Sequence, residues 1–335
     1  MVEHTDLRGD LPKPARRWRD TLLMAGLFGL MLIGVIGLAF ATGWEETRAQ
    51  LATLGLVQIA VLLGLSLINY LGRGLRWHLF ARRLGLGLSR NANMRIFLGG
   101  FAMSVTPGRV GELVRMRWIR RETGWTFERT APLMLVDRAW DLAAMGLLLG
   151  LALVFSTTGI TGGVPVTFAA LIAAFAVTRP SVMARIATWG HRATGRFARL
   201  FAKLRRASRS LSSFTSLPLM GAAALIGLLG WGAEGYAFHL LLTWMGADIG
   251  LASAVAIFVF STLAGGLTGA PGGVGGAEAA MVALLALQGV PLETSLPATL
   301  IIRVTTLWFA IALGVVFFPI AERISKRGQY ALETH

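Results

Sequence analysis

Apolar positions run along this chain in long blocks, and few polar positions interrupt them. Residues 21–43 form an apolar run behind a polar, basic stretch, 1–20. At about 1.5 Å per residue that run is long enough to cross a bilayer. A second run covers about 51–72 and ends in the basic cluster Arg73, Arg76, Arg82 and Arg83. Residues 94–106 are apolar but short. They break at Pro107-Gly108 and resume as a short helix to Arg121 that carries Arg115, Arg117 and Arg120. Residues 131–155 read as a full span beginning with Asp137, Arg138 and Asp141, and 163–178 as a short one. Residues 218–245 make the next span, 251–289 hold a second Gly-Pro break, and 297–319 make the last span.

The breaks divide the segments into two kinds. A stretch such as Leu267-Thr268-Gly269-Ala270-Pro271-Gly272-Gly273-Val274-Gly275-Gly276-Ala277-Glu278 cannot be an ordinary spanning helix. Irregular backbone at membrane depth is tolerated only where it is buried in protein or lines a polar cavity. Each arm beside a break reaches about half the bilayer, so both broken segments read as re-entrant hairpins. The expectation is an all-α polytopic membrane protein. It has about six full transmembrane helices and two re-entrant broken-helix hairpins, eight hydrophobic segments in all. Residues 1–20 and 321–335 are tails, and 21–320 form a single integral membrane domain.

Composition agrees: 335 residues, 55% hydrophobic, 15% charged, mean hydropathy +0.64. A soluble chain of this size carries more charge. Cysteine is absent, which excludes disulfides and thiolate metal sites. The first run contains Ala39-Phe40-Ala41, which resembles a signal-peptidase site. Its apolar core exceeds the usual signal length of about 7–15 residues, so an uncleaved anchor is the preferred reading.

The net charge of +15 is placed as membrane orientation requires. With a cytoplasmic N-terminus, the inner segments are 1–20, 73–93, 113–130, 179–213 and 320–335, which hold 27 of the 32 Lys and Arg. The outer segments hold only Arg48. This asymmetry puts both termini in the cytoplasm and the protein in the cytoplasmic membrane. Residues 179–213 carry nine Lys or Arg and no acid, with Phe197, Leu200, Phe201, Leu204 and Leu211 at helical spacing. Two readings stand: an amphipathic helix in the headgroup layer, or a basic loop whose apolar face packs on the protein.

The two breaks match each other. Ser104-Val105-Thr106-Pro107-Gly108-Arg109-Val110-Gly111-Glu112 shares a Pro-Gly-x-Val-Gly core with Pro271 to Gly275. Arg138 lies 31 residues after Pro107, and Arg303 lies 32 after Pro271. Two units, about 51–155 and 218–319, therefore each contain a span, a broken hairpin and a span bearing an arginine. Residues 156–217 link them. The leading spans run in opposite directions, which makes the repeat inverted, as in many transporters with a midplane site. The register is imperfect, since Glu112 follows its proline by five residues and Glu278 follows by seven.

Helix starts inside a membrane present unpaired N–H groups and a positive dipole end. Glycines admit an anionic group to the backbone. Pro107, Gly108, Arg109, Gly111 and Glu112 in one break, and Pro271, Gly272, Gly273, Gly275 and Glu278 in the other, are candidate binding residues. Arg138 and Arg303 add charge-assisted contacts to a phosphate. The ligand class is an anionic or zwitterionic lipid headgroup or a lipid-linked phosphate. Each site has a plainer reading. Arg138 pairs with Asp137 and with Asp141 at i,i+3 as a self-neutralised cluster. Arg303 pairs with Glu278 across the fold, and Glu112 and Glu278 cap their own helices. His78 and His239 are isolated and read as non-ligands. Trp44, Trp77 and Trp244 fit interfacial belts. No nucleotide, nucleophile or zinc motif occurs, so no cofactor, metal or nucleic-acid partner is expected, and no enzyme activity.

Leu-Arg-Trp at 75–77, Pro-Gly-Arg-Val-Gly-Glu at 107–112, Asp-Arg-x-x-Asp at 137–141 and Pro-Gly-Gly-Val-Gly-Gly-Ala-Glu at 271–278 resemble the lysylphosphatidylglycerol synthase transmembrane-region family, the flippase-like domain proteins. The resemblance covers about residues 20–325. It implies a membrane domain that moves lipid between leaflets. Members include the membrane half of bacterial aminoacyl-phosphatidylglycerol synthases, and stand-alone members, some associated with hopanoid lipids. No segment here has room for the soluble aminoacyl-transferase domain, so only lipid translocation is carried over. The family usually places an aliphatic or aromatic residue between the last Gly and the Glu. Gly276-Ala277 stands there instead and leaves the site roomier. Two other readings remain open: a non-transporting subunit that scaffolds a lipid-modifying enzyme, and an intramembrane enzyme using Glu112 or Glu278 as base.

Overall fold

A computed structural model describes residues 54–106, 113–156, 160, 162–179, 181–182, 184–185, 188–189, 192 and 210–333. The first apolar run, Arg48, the Pro107 to Glu112 break and most of the basic segment 179–213 lie outside the described residues, and so do the readings made on them.

The described residues form helices and turns, with no strand among them. In chain order the first helices are α1 (Leu56–Arg83), α2 (Arg90–Gly99, followed by a 3-10 turn Gly100–Val105), α3 (Val114–Thr123), α4 (Phe127–Phe155) and α5 (Gly163–Thr178). A short 3-10 turn, Ser210–Phe214, precedes α6 (Leu217–Trp244) and α7 (Leu251–Leu267). The turn Pro271–Gly273 leads to α8 (Gly276–Leu287) and α9 (Leu292–Arg303). A π turn, Val304–Trp308, then joins α9 to α10 (Phe309–Glu333).

Four stretches are long and apolar enough to span a bilayer: Leu56–Arg83, Phe127–Phe155, Leu217–Trp244 and Leu292–Tyr330. Gly163–Thr178, Leu251–Leu267 and Pro271–Leu287 are shorter apolar helices. The chain is a multi-pass helical membrane protein. Its outer surface agrees: Ile68, Leu71 and Leu75 on α1, Leu147, Leu151 and Val154 on α4, and Phe168, Ile172 and Phe175 on α5 are all exposed. Apolar surface of this extent suits a hydrocarbon solvent.

One boundary differs from the sequence reading in a way that matters. The apolar pattern ends the second run at Arg73, yet α1 continues to Arg83. Arg73 and Arg76 are buried inside the helix bundle, and so is Arg115 on α3. These three are not interfacial charges. Counted without these three, the segments taken as inner hold 24 Lys and Arg in place of 27.

The buried apolar residues form two clusters. One holds Leu62 of α1, Ala144 and Leu149 of α4, Phe238 and Leu241 of α6, Ile257 of α7 and Ile302 of α9. The other holds Trp77 and Phe80 of α1, Phe97 of α2, Trp118 of α3, Leu133 and Val136 of α4, and Ala310 of α10. Along α1, α4 and α9–α10 the change from one cluster to the other occurs at buried polar residues: Asn69 to Arg76, Asp137 to Asp141, and Arg303 to Thr306. A polar layer therefore separates two apolar ones. Asp141 is the central residue of the 29-residue α4, which puts that layer deep within the spans.

Candidate functional site

The layer begins with a stripe on α1. Ser66, Asn69, Arg73 and Arg76 recur at spacings of three and four, so they share one helix face. That face packs against α6 and α4. Glycines on α6 make room for it. A Cβ at Gly230 would lie 2.6 Å from Asn69 Oδ1, and one at Gly227 would lie 3.4 Å from Arg76 Nη1 and 2.7 Å from Ala144 Cβ. Small residues at membrane helix contacts allow this close approach.

Two carboxylates on α4 receive the stripe. Arg73 Nη2 donates to Asp141 Oδ2 at 2.7 Å. Arg76 Nη2 donates to Asp137 Oδ1 at 2.8 Å and to Asp141 Oδ1 at 2.6 Å. It also reaches the Asp137 carbonyl at 3.2 Å. The indole N–H of Trp231 on α6 points at Asp141 Oδ1 from 3.4 Å. Arg138 stands beside the same carboxylates, 3.4 Å from Asp137 Oδ2 and 3.5 Å from Asp141 Oδ2, with its side chain 29% exposed. Arg138 thus takes the self-neutralised arrangement with Asp137 and Asp141. Those two acids are held more tightly by Arg73 and Arg76. Removing one partner from such a buried cluster costs about 3–5 kcal/mol, because a charge is left uncompensated.

The second half contributes a smaller arrangement. Gly272 and Gly273 have φ of +61° and +71°, a conformation that favours glycine. A Cβ at Gly273 would also lie 3.0 Å from the Gly265 carbonyl carbon on α7. The turn is therefore packed closely into the hairpin of α7 and α8. Glu278 caps α8 by accepting the Gly275 N–H at 2.6 Å through Oε2. Its other oxygen takes Arg303 Nε at 2.5 Å. Arg303 Nη2 donates in turn to the Gly272 carbonyl at 2.8 Å. Both readings of Glu278 hold together: it is its own helix cap and the partner of Arg303. The residues Pro271, Gly272, Gly273, Gly275, Glu278 and Arg303 belong to one assembly. The turn at Pro271–Gly273 also touches the 3-10 turn Gly100–Val105, which leads into the first break. Pro107, Gly108, Arg109, Gly111 and Glu112 lie outside the described residues.

Between these arrangements is a cavity of about 50 Å³. Its polar lining comes from Tyr70, Arg73, Glu234 and Arg303, with Ser104 and Thr306, and its apolar lining includes Phe101 and Phe258. Aromatic faces hold Arg73 in place: its guanidinium carbon is 5.3 Å from the Trp231 ring and 5.8 Å from those of Phe97 and Phe101. The Tyr70 hydroxyl donates to the Thr306 carbonyl in the π turn. Single π turns inside α-helices often mark functional positions. This one begins immediately after Arg303.

Several of these residues escape the sequence reading. It places Arg73 and Arg76 in an interfacial cluster, although their shared face with Ser66 and Asn69 is visible in the spacing. Glu234, 3% exposed, is an isolated acid within an apolar span. An intramembrane ionisable residue is by default a functional candidate, which is a sufficient signal. Tyr70 and Trp231 carry no signal that separates them from other aromatics of apolar runs.

The model for the lysylphosphatidylglycerol synthase transmembrane region matches residues 25–314. The chain belongs to that family. Two curated relatives, both called UPF0104 membrane protein and both from Methanothermobacter thermautotrophicus, are similar to it. One is 25% identical over 317 residues, covering 87% of this chain and 94% of the relative. The other is 33% identical over 110 residues, covering 33% of this chain and 32% of the relative. The matched family region contains every described helix up to the first turns of α10 and every charged residue of the polar layer.

Proposed function

We propose that this protein is a lipid translocase of the cytoplasmic membrane, moving an anionic or zwitterionic headgroup, or a lipid-linked phosphate, between leaflets. One observation carries the reading: the buried residues Arg73 and Arg303, from opposite halves of the chain, line the same small cavity deep within the spans. Charged groups at that depth are costly and are retained where they mark a substrate path. A guanidinium suits a phosphate oxygen pair. The family's name refers to a lipid synthase and is consistent with lipid as the ligand, while lysyl transfer is not part of the reading.

The element order supports an inverted repeat. Span α1, broken segment α2–α3 and span α4 correspond to span α6, broken segment α7–α8 and span α9–α10. The two broken segments enter as re-entrant hairpins from opposite faces, and both termini are cytoplasmic. The space between the charged groups is small in this conformation. A cavity of about 50 Å³ has room for only a few waters at roughly 10–15 Å³ each. Passage of a headgroup therefore requires the halves to part, with the tails remaining in lipid. The role is transport without bond chemistry. Asp137, Asp141 and Glu278 serve as ion-pair partners, not as poised bases.

The test is reconstitution of the purified chain into phosphatidylethanolamine–phosphatidylglycerol vesicles with a trace of acyl-labelled phosphatidylglycerol. Movement of the label between leaflets faster than in protein-free vesicles is expected. No movement, with co-purification of a lipid-modifying enzyme, would instead make the chain a scaffold.

A further inference from the structure

Glu234 differs from the other acids of the polar layer. Asp137, Asp141 and Glu278 each close at least one ion pair at 2.8 Å or less. Glu234 closes none among the described residues, although it lines the cavity with Arg73 and Arg303 and interacts electrostatically with both. It projects from α6, and among the described residues the groups facing it come from the helices packed on α6. Asn69, Tyr70 and Arg73 come from α1, Asp141 from α4, and Arg303 from α9. Helix α7 adds Phe258 and Thr262, neither of which carries charge.

The charges in mutual contact then balance in a particular way. Among the described residues, Arg73, Arg76, Arg138 and Arg303 close ion pairs with Asp137, Asp141 and Glu278, and within that set one positive charge is in excess. Ionised Glu234 supplies the missing negative charge from across the cavity. An arriving phosphate monoester or diester brings a second negative charge to the same two guanidiniums. In a low-dielectric layer the two anions repel strongly, and neither has water to fall back on.

We infer that Glu234 is the resident counter-anion of the headgroup site, and that an anionic phosphate headgroup enters only as Glu234 takes up a proton, so that lipid and proton cross together. The inference rests on the translocase reading and adds its coupling. The proton comes from water on the entry side, sits on a Glu234 carboxylate oxygen while the phosphate lies against Arg73 and Arg303, and leaves to water on the exit side with the headgroup. No net charge crosses for a singly charged lipid. The tight ion pairs remain closed throughout, and only the acid without one changes state.

The experiment uses the full chain in phosphatidylethanolamine–phosphatidylglycerol vesicles, with acyl-labelled phosphatidylglycerol as the probe and a pH dye trapped inside. The wild type should slow as the pH on both sides is raised, by up to about tenfold per pH unit, the limit for one titrating group. Glu234→Gln, a neutral shape-match for the protonated acid, should move the probe at a rate independent of pH. Glu234→Asp should retain the pH dependence. An imposed inward lipid gradient should acidify the lumen of wild-type vesicles, which reads coupling without any variant. Glu234→Gln vesicles with the wild-type pH profile, or lipid movement with no proton movement, would overturn the coupling. Failure of the wild type to move lipid at any pH would overturn the translocase reading itself.

Discussion

Arg73 on α1 and Asp141 at the centre of α4 meet at 2.7 Å between two apolar clusters, with Trp231 of α6 against both. Three spanning helices are thus tied at one depth by a charged contact. The same arginine presents itself to a cavity shared with Arg303. The layer that holds the helices together is the layer a headgroup would use.

The structural part of that layer is Arg76. It is fully buried and joins Asp137 to Asp141. Arg76→Gln leaves two buried carboxylates short of a partner and should cost about 3–5 kcal/mol. A large loss of thermal stability in detergent is expected, whichever lipid is present. A variant as stable as the parent would mean that Arg138 alone satisfies both acids.

Backbone packing beside the cavity gives a second prediction. A Cβ at Gly314 on α10 would lie 2.1 Å from the Ala102 nitrogen and 2.6 Å from the Phe101 carbonyl carbon. Backbone cannot yield as a side chain can. Gly314→Ala should therefore separate α10 from the 3-10 turn at a cost of about 1–3 kcal/mol or more. It should also displace Phe101, a cavity wall. Gly64→Ala on α1 meets nothing within 4 Å and serves as the control. It should be neutral or stabilising by at most about 1 kcal/mol. Melting curves of the two variants give the comparison.

Glu322 on α10 gathers α3. It accepts from Trp118 Nε1 at 2.8 Å, Arg121 Nη1 at 2.9 Å and Arg117 Nη2 at 3.0 Å. The arginine contacts are partly exposed and contribute little. The buried indole N–H is the costly group to leave unpaired, at about 1–3 kcal/mol. Glu322→Ala should therefore destabilise clearly, whereas Glu322→Gln, which keeps an acceptor for Trp118, should destabilise less. Equal losses in the two variants would place the energy in the ion pairs instead.

Legibility in the sequence follows how local the physics is. The presence of the spans, the Pro271 break and the Glu278 cap depend on neighbours within a few residues, and each can be read from apolar runs, glycine and capping. Arg303 stands out because an arginine deep in an apolar run is rare. Arg73 and Arg76 mislead because arginine at the end of an apolar run normally marks the membrane surface. Only the packing of α1 on α6, where Gly227 and Gly230 leave space, shows that the helix continues and its arginines turn inward. Arg138 reaches Asp141 at the local i,i+3 spacing, but Arg73 and Arg76 reach it from another helix, 68 positions away in one case, and no local pattern encodes that pairing.

The most direct test of the account removes the second-half guanidinium without stranding a charge. Arg303→Gln combined with Glu278→Gln neutralises both members of the 2.5 Å pair and keeps an acceptor for the Gly275 N–H. In vesicles, movement of acyl-labelled phosphatidylglycerol by this double variant should fall by about ten- to a hundredfold, the loss of one charge-assisted hydrogen bond to phosphate. The variant should remain monodisperse. A monodisperse double variant that moves the lipid at the parent's rate would contradict passage of the headgroup past Arg303.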